Sequence, residues 1–157
     1  MLLDHQDKNL IASIHYYQKY KSQAGVIANI LLLIGKLRYI FWTVISGSDI
    51  HRDAEIAATV RFPHLCGVVV HRDVIIEDDC LIMQQVTLGQ TATEGAPTVR
   101  RGAYIGAGAK VLGKINIGQM ARIGANAVVL SDVPENATAV GVPAIVKNIR
   151  EKINPSI

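Results

Sequence analysis

Aromatic side chains and cysteines are scarce in this sequence, and no stretch carries a long run of one charge. Aromatic residues make up 5% of 157 positions, and the two cysteines, Cys66 and Cys80, stand fourteen positions apart. That number and spacing support neither a disulfide framework nor a zinc-ligand motif, and both cysteines read as small buried apolar residues. Sixteen Lys+Arg against thirteen Asp+Glu leave a formal charge of +3. The excess lacks the basic and aromatic interleaving of a nucleic-acid groove, so no nucleic-acid partner is expected. Residues Met1 to Asp7 contain no basic stretch leading into an apolar run, so a cytoplasmic location is expected rather than a secretory leader. The most apolar run, Val26 to Ile45, is interrupted by Asn29, Lys36 and Arg38 and falls short of an uninterrupted bilayer span. A packed helix or one resting on a membrane surface stays open.

What the chain has in quantity is aliphatic residues, in two different rhythms. Half of all positions are hydrophobic, enough to fill the core of one domain. Over residues 1–47, Ile11, Ile14 and Tyr17, then Ile27, Ile30, Leu31, Ile34, Leu37 and Phe41, recur at three- and four-residue spacing. This predicts two amphipathic helices with a break near Ser22 to Gly25. Over residues 48–146 the period becomes six. The registers are Ile50, Ile56, Phe62; then Val70, Ile76, Ile82, Leu88; then Val99, Ile105, Val111, Ile117, Ile123, Val129. No α-helix or alternating strand repeats at six. Small residues follow many of these positions, as in Ile105-Gly106-Ala107 and Ile123-Gly124-Ala125, where tight corners need little side chain. Each hexapeptide is therefore a short strand plus a corner. Such units bury their apolar side chains only by stacking, which gives a mainly β solenoid with three strands per coil. Residues 147–157 form a tail.

The register fails twice. From Phe62 to Val70 the step is eight, across Pro63-His64-Leu65-Cys66-Gly67. From Leu88 to Val99 it is eleven, so five residues within Gly89 to Pro97 leave the prism as a loop. Departures from regularity gather at functional sites, and a polar loop on a rigid scaffold makes a binding wall. His64 lies in the first break, and Asp49 stands where the prism begins. Placed about one coil apart, the two are expected to be neighbours across a strand spacing of roughly 4.8 Å. An Asp–His pair there would suit a general base whose charged form needs support. An exposed loop histidine and a turn-capping aspartate satisfy the same spacing. A zinc site from His51, His64 and His71 is a weaker alternative at spacings of thirteen and seven. Lys110, Lys114, Arg122, Lys147 and Arg150 are candidates for phosphate contacts, or a solvated rim.

From Asp49 to Lys147 the sequence resembles the serine acetyltransferase branch of the hexapeptide-repeat acyltransferases. The motifs occur in family order: Asp49-Ile50-His51, His64 with Gly67-Val68-Val69-Val70, Val86-Thr87-Leu88-Gly89, Ile105 to Gly113, and Gly141-Val142-Pro143-Ala144. The resemblance implies a left-handed parallel β-helix, although general topology rules favour right-handed crossovers. It implies a homotrimer with active sites between subunits, His64 as general base and Asp49 as its partner. It also implies acetyl-CoA as co-substrate and no metal. Main-chain groups near Gly89, Ala107 and Ala125 would bind the pantetheine arm, with Lys147 near the nucleotide end.

Two departures bear on the small hydroxylated acceptor. Serine acetyltransferases carry an Arg-His pair where this chain has Gly95-Ala96 before Pro97, and an aspartate where it has Pro63. Both contacts to an amino-acid zwitterion are thus missing, and the family's large helical domain is cut to about 47 residues here. A sugar or polysaccharide precursor is the expected acceptor, with serine O-acetylation as the alternative and a non-catalytic trimeric scaffold as the rival of another class. The ending Asn154-Pro155-Ser156-Ile157 looks like the tail by which serine acetyltransferases dock into cysteine synthase. The first helices are candidates for contact with a membrane.

Overall fold

The computed structural model describes residues 5–92 and 95–147. Two helices lead, α1 (Gln6–Tyr20) and α2 (Val26–Ser46), with the break where the spacing predicts it. Gly25 there takes φ 116°, a conformation that side chains with a Cβ rarely adopt.

The remainder is a three-sided left-handed parallel β-helix. Its first sheet stacks β1 (Asp49–Ile50), β3 (Val69–Val70), β6 (Thr87–Gly89), β9 (Lys110–Leu112) and β12 (Val128–Val129). The second holds β2 (Glu55–Ile56), β4 (Ile75–Ile76), β7 (Thr98–Val99) and β10 (Asn116–Ile117). The third holds β5 (Leu81–Ile82), β8 (Tyr104–Ile105), β11 (Arg122–Ile123) and β13 (Thr138–Val140). Single parallel bridges at Arg61 and Val133 complete the first and last coils.

Strand register explains both breaks in the repeat. A regular coil takes eighteen residues, as where Val111 pairs with Val129. Ile50 pairs with Val70, two residues more, and Leu88 pairs with Val111, five more. The first break is thus a bulge at the corner entering β3, and the second is the loop between β6 and β7. Because each insertion is absorbed at a corner, the strands above and below remain in register. All thirteen aliphatic and aromatic positions of the hexapeptide register are buried, none more than 4% exposed. Each contributes on the order of 1.5–3 kcal/mol of apolar burial.

The ends of a solenoid expose unpaired backbone and must be covered. At the first coil, α1 does this: Gln18 Nε2 donates to the carbonyls of Arg52 and Ala54 at 3.0 Å each, and His15 Nε2 donates to Ile56 O at 2.6 Å. Leu10, Ile11 and Ile14 join the core beneath. Tyr39 of α2 donates from its hydroxyl to Ile50 O at 3.0 Å. At the far end the chain reverses, and β14 (Ile145–Lys147) pairs antiparallel with β13. Lys147, expected to open the tail, therefore closes a strand.

Candidate active site

His64 lies on the bulge between buried Phe62 and Leu65, and its ring is exposed. The bulge exists because Phe62 and Leu65 both turn inward, leaving Pro63, His64 and Cys66 outside. Behind it is a groove of about 370 Å³, also lined by His5, Asp7, Ser46 and Arg61. Arg61 Nε donates to Asp7 Oδ2 at 2.8 Å, and the same carboxylate accepts the N–H of Phe62 at 3.3 Å. The two outer nitrogens of the Arg61 guanidinium make no hydrogen bond among the described residues. Asp7, Arg61 and His5 were not singled out by sequence spacing. The one available signal was that Arg61 immediately precedes the register break.

Asp49 sits at the start of β1, exposed, and it lines a different groove of about 230 Å³ with His51, His71, Arg72 and Gly89. The expected side-by-side Asp49–His64 pair is not formed in the single chain. The strand neighbour of Asp49 is Val69, five residues beyond His64, because the bulge holds His64 in the corner and off the strand that stacks on β1. Among the described residues no hydrogen bond joins the two side chains. His51 and His71 lie one coil apart, and each accepts at Nδ1 the N–H two residues on, from Asp53 and Asp73. With His64 in the other groove, the three histidines do not converge. Among the described residues no group of three or more His, Cys, Asp or Glu is arranged to hold a metal.

The residues expected near acetyl-CoA fall in three places. Ala107 and Ala125 stack one coil apart at the corner after the third sheet, where Asn126 N donates to Ala107 O at 2.8 Å. A Cβ on Gly106 would lie 2.7 Å from Ala125 N, so this row of small residues keeps the coils close. Gly89 ends β6 across the first sheet, in the groove of Asp49. Lys147 is exposed on β14. Of three other cations, Lys110 Nζ donates to Gln85 O at 2.7 Å, Arg122 stacks over Tyr104, and exposed Lys114 lays only its aliphatic stem against Gly95. Arg150 and the tail ending in Ile157 lie outside the described residues.

Two further findings modify the sequence reading. Cys66 is exposed in the groove of His64, because Leu65 takes the inward place on the bulge; Cys80 is buried. Gly95 adopts φ 108°, and a Cβ on it would stand 2.6 Å from the Lys114 Cβ. The loop conformation itself therefore excludes a side chain where the resemblance calls for arginine.

No protein-family model matches the chain. The serine acetyltransferase of Haemophilus influenzae is 54% identical over 99 residues, covering 61% of this chain and 37% of that protein. That of Escherichia coli K12 is 45% identical over 112 residues, 69% of this chain and 41% of its own. The chain spans less than half the length of these curated relatives. A solved serine acetyltransferase in complex with CoA superposes with a TM-score of 0.77 at 39% identity, covering 93% of this chain and 59% of that one. The soybean serine acetyltransferase complexed with serine gives 0.78 at 32% identity, covering 93% and 59%. By its repeat, its fold and these similarities, the chain belongs to the hexapeptide-repeat acyltransferases, on the branch where the serine acetyltransferases lie.

Proposed function

We propose that the protein is an acetyl-CoA-dependent O-acetyltransferase whose acceptor is L-serine. The observation that carries this reading is an exposed histidine on a register-breaking bulge, beside an open groove, in a chain whose reported relatives are all serine acetyltransferases. The sugar acceptor expected from the missing Arg-His pair finds no support among those relatives. His64 removes the hydroxyl proton as the acceptor oxygen attacks the thioester carbonyl, and backbone N–H groups receive the charge of the tetrahedral oxyanion. The C–S bond then breaks, and the CoA thiolate takes the proton from the His64 imidazolium. Asp49 supports that imidazolium. Both side chains are exposed.

The amino-acid carboxylate needs a cation that Gly95 and Ala96 do not supply. We assign it to Arg61, which shares the groove with His64 and keeps its outer nitrogens available while Asp7 fixes the guanidinium through Nε. The working unit is a homotrimer, with Gly89 of one subunit and the Ala107–Ala125 row of the next forming opposite walls for acetyl-CoA, in the cytoplasm. Release of free thiol from acetyl-CoA tests the reading, with L-serine, serinol and a set of sugars as acceptors. L-serine is expected to be preferred, and Arg61→Gln to raise its KM about tenfold or more with little change for serinol. Turnover of sugars with none of serine would refute the acceptor. Equal loss on serine and serinol would remove Arg61 from the carboxylate.

A further inference from the structure

On α2, Val26, Ile30, Leu33, Leu37, Ile40 and Val44 follow one another at steps of four and three, and each is between 53% and 77% exposed. Ile27, Ile34 and Phe41 lie beside them, also exposed. At about 100° per residue these nine positions fill an arc of about 140°. The packed face is opposite. It carries Ala28, Gly35 and Ser46, and a Cβ on Gly35 would stand 3.1 Å from Tyr16 Cδ1 and 3.3 Å from Tyr17 Cα, so α1 and α2 touch closely. Scattered exposed apolar side chains are ordinary; a continuous stripe along a helix of 21 residues is not.

We propose that this face docks the protein on an anionic lipid surface, with α2 lying flat at the headgroup boundary. Charge decides the occupant. Lys36 and Arg38 project within about 40° of the two edges of the stripe, where their stems run along apolar surface and their heads reach lipid phosphates. Neither makes an ion pair among the described residues; the Arg38 guanidinium rests over the Tyr16 ring, 5.7 Å from its centre, a contact that leaves its charge unneutralised. From Lys8 to Ser48 the sequence has five Lys or Arg and no Asp or Glu. A second copy of this face would meet the first with cations alone and nothing to pair them. An anionic bilayer supplies the missing sign. By length and a mean hydropathy of 1.5, α2 could also cross a membrane. Its opposite face, however, is held by α1 and by the Tyr39 bond to Ile50, and crossing would sever both.

Sedimentation of the full chain with vesicles of phosphatidylcholine, with and without phosphatidylglycerol, tests the proposal. The protein is expected to pellet with the phosphatidylglycerol vesicles and about tenfold less with phosphatidylcholine alone. Leu33→Glu and Leu37→Glu should each weaken binding about tenfold or more, since each removes an apolar side chain from the lipid-facing stripe, and leave the melting temperature unchanged because both are exposed in the free protein. Lys36→Glu with Arg38→Glu should abolish the preference for the anionic lipid. Wild-type protein left in the supernatant, equal binding to both vesicles, or unaltered binding by Leu37→Glu would each overturn it. A fall in the lipid-free molecular mass on Leu37→Glu would also overturn it, by showing a seam between copies.

Discussion

Arg61 Nε stands 2.8 Å from Asp7 Oδ2, and this contact fastens α1 to the bulge that carries His64. Asp7 is buried and Arg61 half exposed. Burial would raise the Asp7 carboxyl, but the Arg61 hydrogen bond, with the N–H groups of Lys8 and Phe62, outweighs it and holds the group below its ordinary value of 3.8. A carboxyl depressed on folding stabilises the native state above its unfolded value, and that stabilisation is lost as pH falls through the lower folded value. Asp7→Asn should therefore cost about 2 kcal/mol at pH 7. Urea unfolding of both proteins should show the gap narrowing as pH falls below 3.8.

His64→Ala should lower kcat about 10²- to 10⁴-fold, the range for loss of a positioned base, while the Kd for CoA stays within about twofold. Calorimetry with CoA and the thiol-release assay separate the two quantities. Retained turnover would return His64 to the status of an exposed loop residue.

The two cysteines should differ in reactivity. Burial pushes the Cys80 thiol up to about 11, and its Sγ–H donates to Arg100 O at 3.1 Å. Cys66 is exposed in the groove of His64. A disulfide reagent at pH 8 should label one thiol per native chain, and both only after denaturation. Labelling of Cys66 with a bulky group should block turnover, and the Cys66→Ser enzyme should resist that inhibition.

The six-residue spacing of Ile105, Val111 and Ile117 was enough to place the prism, because only a stacked corner-and-strand unit repeats at six. The two departures from that spacing located the bulge and the loop for the same reason. The separation of Asp49 from His64 was not legible, since a count of residues along a solenoid does not say at which corner an insertion is absorbed. The exposure of Cys66 depended on whether Leu65 or its neighbour turned inward, a choice that spacing leaves open. Asp7 and Arg61 are 54 positions apart and meet only because α1 folds back over the first coil. No local pattern encodes that contact, although the place of Arg61 just before the register break was visible.

Gly106 and Gly124 occupy the same corner one coil apart, yet their substitution should differ in cost. A Cβ on Gly106 would meet backbone, 2.7 Å from Ala125 N and 2.8 Å from Ile123 O, so the coils themselves must separate. A Cβ on Gly124 would meet Val140 Cγ1 at 2.7 Å, a side-chain methyl that yields by rotation. Gly106→Ala should destabilise by about 2–3 kcal/mol and Gly124→Ala by about 1 kcal/mol. For a chain of this size these correspond to falls in melting temperature of roughly 4–12 °C and 2–4 °C. Separation at Gly106 also parts Ala107 from Ala125, the row assigned to the pantetheine arm. Gly106→Ala should therefore raise the KM for acetyl-CoA more than Gly124→Ala does, when each is assayed well below its own melting temperature. Equal KM values in the two variants would take the row out of the binding wall and leave it a packing device alone.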